Sequence, residues 1–435
     1  MRPTANIRRA LITSHGSTRS VRVSAVRFAT VVWISSSVVF FLAAVADSCA
    51  ANSSSASHGN LYTNVFKQIN ASLASYERCK LSNSSGCSLC HYQMIARDLA
   101  PWNGGIYQTD VERAKPLGVF YQIIDGRLYR QAECMFPSRC SGVEHFLLGL
   151  ASKLPNMELV INVRDYPQSP RKTTKLPVFS FSKVPNDYND IIYPAWTFWE
   201  GGPAISIYPA GIGRWDLHRS RLVQEADRYP WEEKEDRAFF RGSRTSAERD
   251  PLVRLSRREP QLVDAQYTKN QAWRSEQDTL GAPPAAEVSF EHHCRYKYLF
   301  NFRGVAASFR LKHLFLCKSL VFHVGPTTSN EDWIEFFYPM LKPWVHYIPL
   351  LPKQLDNVQF LLNFARDNDE VARQIAERGF EAIHNHLRMK DVRCYWRKML
   401  KTYASLVEYP IIREPSLIEI VPPRRKPTKV VRFEL

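Results

Sequence analysis

The sequence predicts an α/β protein in which two Rossmann-like domains face a cleft. Three observations lead to this fold class. Short apolar strand patterns alternate with helical patterns in each half of the chain, which is typical of α/β layers. A loop rich in Trp, Gly and Pro at 196–209 separates the two halves. With 45% hydrophobic and 12% aromatic residues among 435, the chain can bury real cores, and wholesale disorder is excluded.

The first half of the chain opens with a segment that shows little hydrophobic periodicity. Residues 51 to about 75 are rich in Ser and Asn and are predicted to be loose. Two apolar runs around Asp125-Gly126 predict a β-hairpin, because Asp-Gly fits a tight hairpin turn. Ser141 is a candidate N-cap for the helix that follows. The predicted elements are the hairpin at 117–130, a helix at 143–150, and buried strands at 158–163 and 178–181.

The second half repeats the alternation, and three helical patterns close the chain. Predicted helices span about 215–227, 248–256, 306–316, 356–366, 370–386 and 392–407. Predicted strands span 238–241, 262–267, 297–302 and 319–322.

Both ends of the chain carry targeting patterns. A leader with several arginines precedes an uncharged run at 28–46, and small residues at 44–46 and 48–50 suit signal peptidase. An uncleaved anchor is the alternative, since the run is nearly long enough to span a bilayer. The last four residues, Arg432-Phe433-Glu434-Leu435, resemble the KDEL class of retrieval signals. Together these patterns predict a protein of the endoplasmic reticulum lumen, without stable membrane insertion after signal cleavage.

The cysteine count fits that compartment. The chain has nine cysteines, and cleavage after Ala50 removes Cys49 and leaves eight, which an oxidising lumen is expected to pair. Sequons at Asn52, Asn70 and Asn83 are consistent with a luminal N-terminus.

The formal net charge of +16 suits an anionic ligand such as a nucleotide diphosphate. It would suit nucleic acid too, but the sequence contains no zinc finger, RNA-binding signature or basic heptad helix. Nucleic acid is therefore not predicted as a partner.

Asp165 stands where a predicted buried strand ends. Ligands of open α/β sheets bind beyond the carboxyl ends of strands, and a carboxylate there can accept a proton from a substrate hydroxyl. Two structural alternatives stay open: an aspartate that caps a turn, or one that pairs with Arg164.

Two segments of the second half have the composition of phosphate sites. Each is a strand followed by small residues and arginines, at 239–249 and at 302–310. We expect the small residues to let a helix N-terminus approach a phosphate, while Arg supplies forked donors. The alternative is close helix–strand packing with surface arginines.

Other polar clusters have structural interpretations. A metal site would draw on His292, His293, Cys294, His313, Cys317 and His323. These spacings match no usual zinc finger, and a Cys294–Cys317 disulfide beside surface histidines is favoured. Asp367-Asn368-Asp369 has the D-x-D form of some metal sites, but it precedes a helical pattern and is interpreted as a helix cap. No catalytic metal is predicted. The loop 196–203 is interpreted either as an aromatic rim that binds protein or sugar, or as a minor core between the two halves.

A set of five motifs resembles the Rumi-type protein O-glucosyltransferases over about 79–409. The motifs are 134–140, 162–167, 196–203, 240–244 and 304–310. The resemblance implies a GT-B fold with a disulfide-rich N-terminal segment, and metal-independent chemistry that inverts the anomeric carbon and needs no cofactor. It also implies UDP-glucose as the donor. The acceptor would be a serine within Cys-x-Ser-x-(Pro or Ala)-Cys of folded EGF-like repeats, in partners such as Notch-type receptors.

The resemblance assigns roles to residues, and it makes Asp165 the base that takes the serine proton. It places the UDP-sugar on Tyr208, Ser243, Arg249, Val305, Ala306, Ala307, Ser308, Phe309 and Arg310. It places the acceptor repeat on Met135, Phe136, Pro137, Ser138, Arg139, Ala204, Ile205, Ser206, Ile207, Tyr208 and Pro209. The disulfides it implies are Cys79–Cys90, Cys87–Cys394, Cys134–Cys140 and Cys294–Cys317.

Five segments are expected along the chain. They are a signal peptide at 1–50, a disulfide-containing segment at 51–110, an acceptor-side Rossmann-like domain at 111–212, a UDP-sugar-binding one at 213–390, and at 391–435 a helix that returns to the first domain, followed by the tail. Two rival functions stay open. One is O-xylosyl transfer from UDP-xylose, since the two donors differ by one CH2OH group. The other is a non-catalytic luminal binding protein on the same fold.

Overall fold

The computed structural model describes residues 61–173, 175–202, 206–208, 211–270, 272–326, 330–352 and 357–422. The predicted signal peptide and the retrieval-like tail lie outside these ranges. Residues from Tyr62 onward belong to one compact unit. In the described part of the chain, no helix combines the length and the apolar composition needed to cross a bilayer.

Helices and strands alternate through this unit. The helices are α1 Thr63–Ala74, α2 Tyr92–Leu99, α3 Gln108–Ala114, α4 Pro137–Leu148, α5 Trp215–Arg228, α6 Asp250–Arg258, α7 Phe290–His293, α8 Leu311–Phe315, α9 Val358–Asp367, α10 Asp369–His386 and α11 Met389–Ala404. The strands are β1 Val119–Ile124, β2 Arg127–Arg130, β3 Met157–Ile161, β4 Val178–Ser180, β5 Ile191–Ile192, β6 Glu235–Gly242, β7 Val263–Tyr267, β8 Tyr296–Phe302, β9 Leu320–Val324, β10 Ile348–Leu350 and β11 Ile418–Ile420.

The first sheet has the order β11-β2-β1-β3-β4-β5 and is mixed. Its β1 and β2 form the predicted hairpin, in which Asp125 and Gly126 have positive φ values of 48° and 74°. Strands β3, β4 and β5 run parallel to one another. Every position of β3 is buried, as in apolar strands that are covered on both faces. The parallel, Rossmann-like part of this sheet is therefore the part that leads to Asp165.

The second sheet has the order β10-β9-β8-β6-β7, and all of its strands are parallel. Helix α6 packs on β7 and α10 packs on β9. The carboxyl ends of parallel strands meet at one edge, where α/β proteins bind ligands. With two separate sheets and helices packed against them, the α/β prediction is confirmed, and this is the GT-B arrangement that the resemblance implied.

Two predicted helix boundaries are wrong. The helix expected at 143–150 begins at Pro137, so Ser141 lies inside it and not at its cap. Proline suits the first helical turn because its fixed φ is helical and it lacks an N–H that would need a partner. The helix expected at 306–316 begins only at Leu311, and residues 305–310 form a loop.

The segment expected to be loose up to about residue 75 contains α1. Val65 and Ile69 of this helix are buried in the core of the second half, and Phe66 lies 5.4 Å from Phe364. The shorter elements α2, α3, β5, β10 and β11 were not predicted, because segments of eight residues or fewer carry little periodicity.

The structure has the four disulfides that the resemblance implied, Cys79–Cys90, Cys87–Cys394, Cys134–Cys140 and Cys294–Cys317. The bond from Cys87 to Cys394 ties α11 to the N-terminal segment, and α11 also packs on α2. Strand β11 pairs with β2. The last described elements thus return to the first sheet.

Candidate active site

Asp165 lies in the turn that follows β3, at the carboxyl end of the parallel strands. Its side chain is 47% exposed, and its Oδ1 lies 3.0 Å from Nη1 of Arg139. The alternative partner, Arg164, instead donates to Oε1 of Gln168 at 3.3 Å. Asp165 is therefore an accessible carboxylate whose salt-bridge partner comes from another element.

Arg139 lies in the first turn of α4, and its guanidinium is fixed on three sides. It donates to the carbonyl of Val163 at 2.6 Å. It also lies over the rings of Phe136, at 4.2 Å, and Trp196, at 4.6 Å. Such contacts restrict a long side chain, because stacking and forked hydrogen bonds favour one orientation. Arg139 was predicted to meet the acceptor, and the structure directs its charge towards Asp165.

A pair of arginines marks the second half. Arg249 ends a short 3-10 turn after β6, and it donates to the carbonyl of Ser243, to Oγ1 of Thr245 at 3.2 Å and to the carbonyl of Arg303 at 2.6 Å. Its buried Nε has no hydrogen-bond partner among the described residues. Burial lowers the pKa of Arg249 to about 10.

Arg310 lies beside Arg249. Burial, together with the charge of Arg249, lowers the pKa of Arg310 to about 9. Both guanidiniums lie over the ring of Phe240, at 5.0 Å for Arg310 and 5.6 Å for Arg249. Gly242 leaves room for them, because a Cβ there would lie 2.7 Å from Nη2 of Arg310. Neither arginine forms an ion pair within the ranges that the structure describes, so the pair is suited to an anion.

The loop 305–310 takes a form that the sequence did not predict. The amide of Ser308 donates to the hydroxyl of Tyr338 at 3.2 Å, and the amide of Gly304 to the carbonyl of Ala306 at 3.0 Å. These bonds replace the first turn of the expected helix. The predicted helix start at residue 306 is therefore wrong, since the helix begins at Leu311, directly after Arg310.

The remaining donor-side candidates are Tyr208, Ser243 and the residues that precede Arg310. Ser243 Oγ is 3.1 Å from Oγ1 of Thr245. The hydroxyl of Tyr208 accepts the Phe290 amide at 3.1 Å, and burial raises its pKa to about 12. Val305 is exposed, whereas Ala306 and Ala307 are buried.

Two aromatic contacts bring the halves of the site together. Phe309 lies 5.9 Å from Trp196 and 5.0 Å from Phe181 by ring centroids. Arg139, which pairs with Asp165, also lies over the ring of Trp196. A continuous set of contacts therefore runs from Asp165 through Arg139 and Trp196 to Phe309, the residue before Arg310. The loop 196–203 was left open between rim and core, and its residues 196–198 are fully buried core.

Most of the described acceptor-side candidates are exposed, and one of them, Arg139, pairs with Asp165. Met135 is 61% exposed, and Phe136, Pro137 and Ser138 are exposed beside it. Ile207 is also exposed, while Ser206 bonds Glu287 through its amide, at 2.7 Å, and its hydroxyl. Ala204, Ile205 and Pro209 lie outside the described residues.

The clusters that resembled metal sites have internal partners. Cys294 and Cys317 are bonded to each other. Asp367 accepts the Tyr62 hydroxyl at 2.8 Å, and Asp369 accepts Lys297 and the Trp231 indole, both at 2.8 Å. Asp369 is the first residue of α10, although the structure shows no side-chain cap bond there.

Sequence reasoning missed one feature, a cavity of about 310 Å³ whose wall includes Thr245, a hydrogen-bond partner of Arg249. It is lined by 244–247 after β6 and by Thr268, Asn270, Ala272, Trp273 and Asp278 after β7. The only signal was position, because residues 268–278 follow the carboxyl end of a parallel strand without any motif.

The chain is similar to known proteins over most of its length. Its residues 82–429 match the family described as "Glycosyl transferase family 90". It is 60% identical to the "O-glucosyltransferase rumi homolog" of Aedes aegypti over 355 residues, which are 81% of this chain and 86% of that protein. It is 58% identical to "Protein O-glucosyltransferase 1" of Homo sapiens over 360 residues, which are 82% and 89% of the two chains. The chain belongs to glycosyl transferase family 90.

Proposed function

We propose that this protein transfers glucose from UDP-glucose to a serine of folded EGF-like repeats, with inversion at the anomeric carbon. One observation supports the proposal: contacts through Arg139, Trp196 and Phe309 connect the exposed carboxylate of Asp165 to an arginine pair that has no ion-pair partner in the described chain. The names of the relatives support glucosyl transfer to protein. The proposed location is the lumen of the endoplasmic reticulum, with Notch-type receptors among the partners.

Asp165 would act as the general base. As the serine Oγ attacks the anomeric carbon, its proton moves to the Asp165 carboxylate, and the bond from that carbon to the β-phosphate oxygen breaks. The electron pair leaves with UDP. A single displacement of this kind inverts the carbon and needs no covalent intermediate, so one carboxylate suffices.

Arg249 and Arg310 would hold the diphosphate. The leaving phosphate gains negative charge in the transition state, and preorganised cations placed where charge develops lower the barrier most. Guanidinium donors fit phosphate oxygens in a forked geometry. On this proposal no metal is needed, because the two arginines meet the charge of UDP.

The cavity of about 310 Å³ is suited to the nucleoside. Its lining combines the indole of Trp273 with the amide of Asn270 and the hydroxyl of Thr268. An aromatic face can stack a nucleobase, and the surrounding polar groups can bond its edges and the ribose. Tyr208, Ser243 and the run from Val305 to Arg310 would complete the donor site, as the resemblance implies.

A folded acceptor fits the other side. Met135, Phe136 and Ile207 are exposed apolar residues, and Phe136 lies under Arg139, the salt-bridge partner of Asp165. Exposed apolar patches mark binding surfaces. An exposed apolar surface near a charged base is suited to a small folded domain that presents one hydroxyl.

The experiment is transfer to a folded EGF-like repeat with UDP-glucose or UDP-xylose, followed by mass spectrometry and NMR of the linkage. We expect one hexose in the inverted configuration on the serine. The control repeat has its serine replaced by alanine. A product of pentose mass alone would favour xylosyl transfer, and UDP binding without any product would favour the non-catalytic alternative.

A further inference from the structure

Asp165 stands in a turn whose backbone is held by one buried side chain. Asn162, at the end of β3, is 1% exposed. Its Oδ1 accepts the amide of Arg164 at 2.8 Å, and its Nδ2 donates to the carbonyl of Tyr166 at 2.7 Å. These two residues flank Asp165 on either side, so a single amide group closes around the base.

The same side chain is fastened to the neighbouring strands. Nδ2 of Asn162 also donates to Oγ of Ser180, at 3.0 Å, and Ser180 donates to Oδ1 of Asp190 at 2.6 Å. Asp190 accepts the amides of Gln168 and Ser169, both at 2.7 Å. The turn from 162 to 169 is thus held at both ends by buried polar groups from β4 and from the residue before β5.

This arrangement needs the chemistry of asparagine. An amide offers an acceptor and two donors on a short stem, and all are used here. Aspartate has no donor, and alanine has neither. The base that Asn162 surrounds is exposed and lies outside any helix or strand, so its position depends on these bonds.

We propose that Asn162 is a positioning residue, which holds the backbone of the turn so that the Asp165 carboxylate meets the acceptor hydroxyl. The inference rests on the proposed function of Asp165 as base. A displacement of about 1 Å at a reacting group lowers the rate by roughly 10²-fold. Loss of the Asn162 bonds therefore lowers kcat, while donor binding on the other half of the site is unchanged.

The test compares Asn162→Ala and the isosteric Asn162→Asp with the control Asn156→Ala. Asn156 accepts a backbone amide too, from Asp125 at 2.8 Å, but it precedes β3 and so lies at the opposite end of that strand from Asn162. For each variant, kcat and KM for the folded repeat are measured together with UDP affinity by calorimetry and thermal unfolding. We expect roughly 10²-fold lower kcat for both Asn162 variants, little change in KM or UDP affinity, and wild-type kinetics for the control.

A double-mutant cycle separates positioning from general stability. In the Asp165→Asn background, Asn162→Ala should lower the residual rate less than threefold, because no base remains to be positioned. An equal loss in both backgrounds, or a wild-type kcat in the Asn162 variants, would overturn the inference. Unfolding of both variants would overturn it too, since Asn162 would then be a requirement of the fold. Undiminished transfer by Asp165→Asn alone would instead reject the proposed function.

Discussion

Arg310 holds a charge that the folded protein does not compensate with a carboxylate in its described residues. Burial and the neighbouring Arg249 lower its pKa to about 9, so it is still charged at neutral pH. Each pKa unit corresponds to about 1.4 kcal/mol, and the charged form therefore costs the ligand-free fold some stability. We interpret this cost as the price of a preorganised phosphate site.

The perturbation is Arg310→Met, which removes the charge and keeps a long apolar stem. Because burial makes the charged form of Arg310 unfavourable, the free energy of unfolding without ligand should rise when the charge is removed. Affinity for UDP should fall, because a hydrogen bond to a charged group contributes about 1.5–3 kcal/mol. At about 1.4 kcal/mol per tenfold change, this is a loss of roughly 10- to 150-fold.

The sign of the pH dependence follows from the lowered pKa. Below about pH 9, Arg310 is protonated in both the folded and the unfolded state, and its cost is fully present. As the pH rises through that value, the folded state loses the proton first, so the stability gap between wild type and Arg310→Met should narrow. Urea unfolding at a series of pH values measures the gap.

The matched control is Arg388→Met. Arg388 forms an ion pair with the buried Asp391 at 2.8 Å, and the hydrogen bond to that carboxylate raises the pKa of Arg388. Arg388→Met should lower the free energy of unfolding, because the buried carboxylate of Asp391 is left without its partner. The same substitution should leave UDP affinity unchanged. An Arg310→Met variant that is less stable than wild type and binds UDP normally would refute the reasoning, since Arg310 would then be a structural cation.

Three further outcomes are expected. Gly242→Ala should weaken UDP binding about tenfold, as measured by calorimetry. The alanine Cβ would lie 2.7 Å from Nη2 of Arg310 and would displace that side chain. Normal UDP affinity in this variant would contradict the prediction. Arg139→Lys should lower transfer by about tenfold or more without changing UDP affinity, because lysine lacks the planar guanidinium that lies over Phe136 and Trp196. An altered affinity with normal kcat would speak against it. Chelation with EDTA should leave transfer unchanged in the same assay, and activity lost to EDTA and restored by manganese would reject the metal-independent mechanism.

Local chemistry explains what the sequence predicted well. The Asp-Gly hairpin was predictable because two residues with positive φ are needed there, and those residue types supply them. The strand before Asp165 was predictable because Leu159, Val160 and Ile161 form a short apolar run that contains β-branched residues. The position of Asp165 beyond a strand end followed directly.

Long-range partners explain what the sequence could not show. The helix expected at 306–316 loses its first turn because the Ser308 amide bonds a hydroxyl from Tyr338, a residue with no recognisable link to it along the chain. The partner of Asp165 is Arg139 on α4 rather than the adjacent Arg164 for the same reason. The cavity of about 310 Å³ is formed by two loops that only the parallel pairing of β6 and β7 brings together.

The most direct test of the proposed mechanism is transfer by Asp165→Asn. Wild type and variant are incubated with UDP-glucose and a folded repeat that contains Cys-x-Ser-x-Pro-Cys, and the repeat is weighed over time while UDP affinity is measured in parallel. Asparagine keeps the size of the side chain but cannot take the serine proton, so the rate should fall by roughly 10²- to 10⁴-fold with UDP affinity unchanged. Transfer by Asp165→Asn at the wild-type rate would contradict the account.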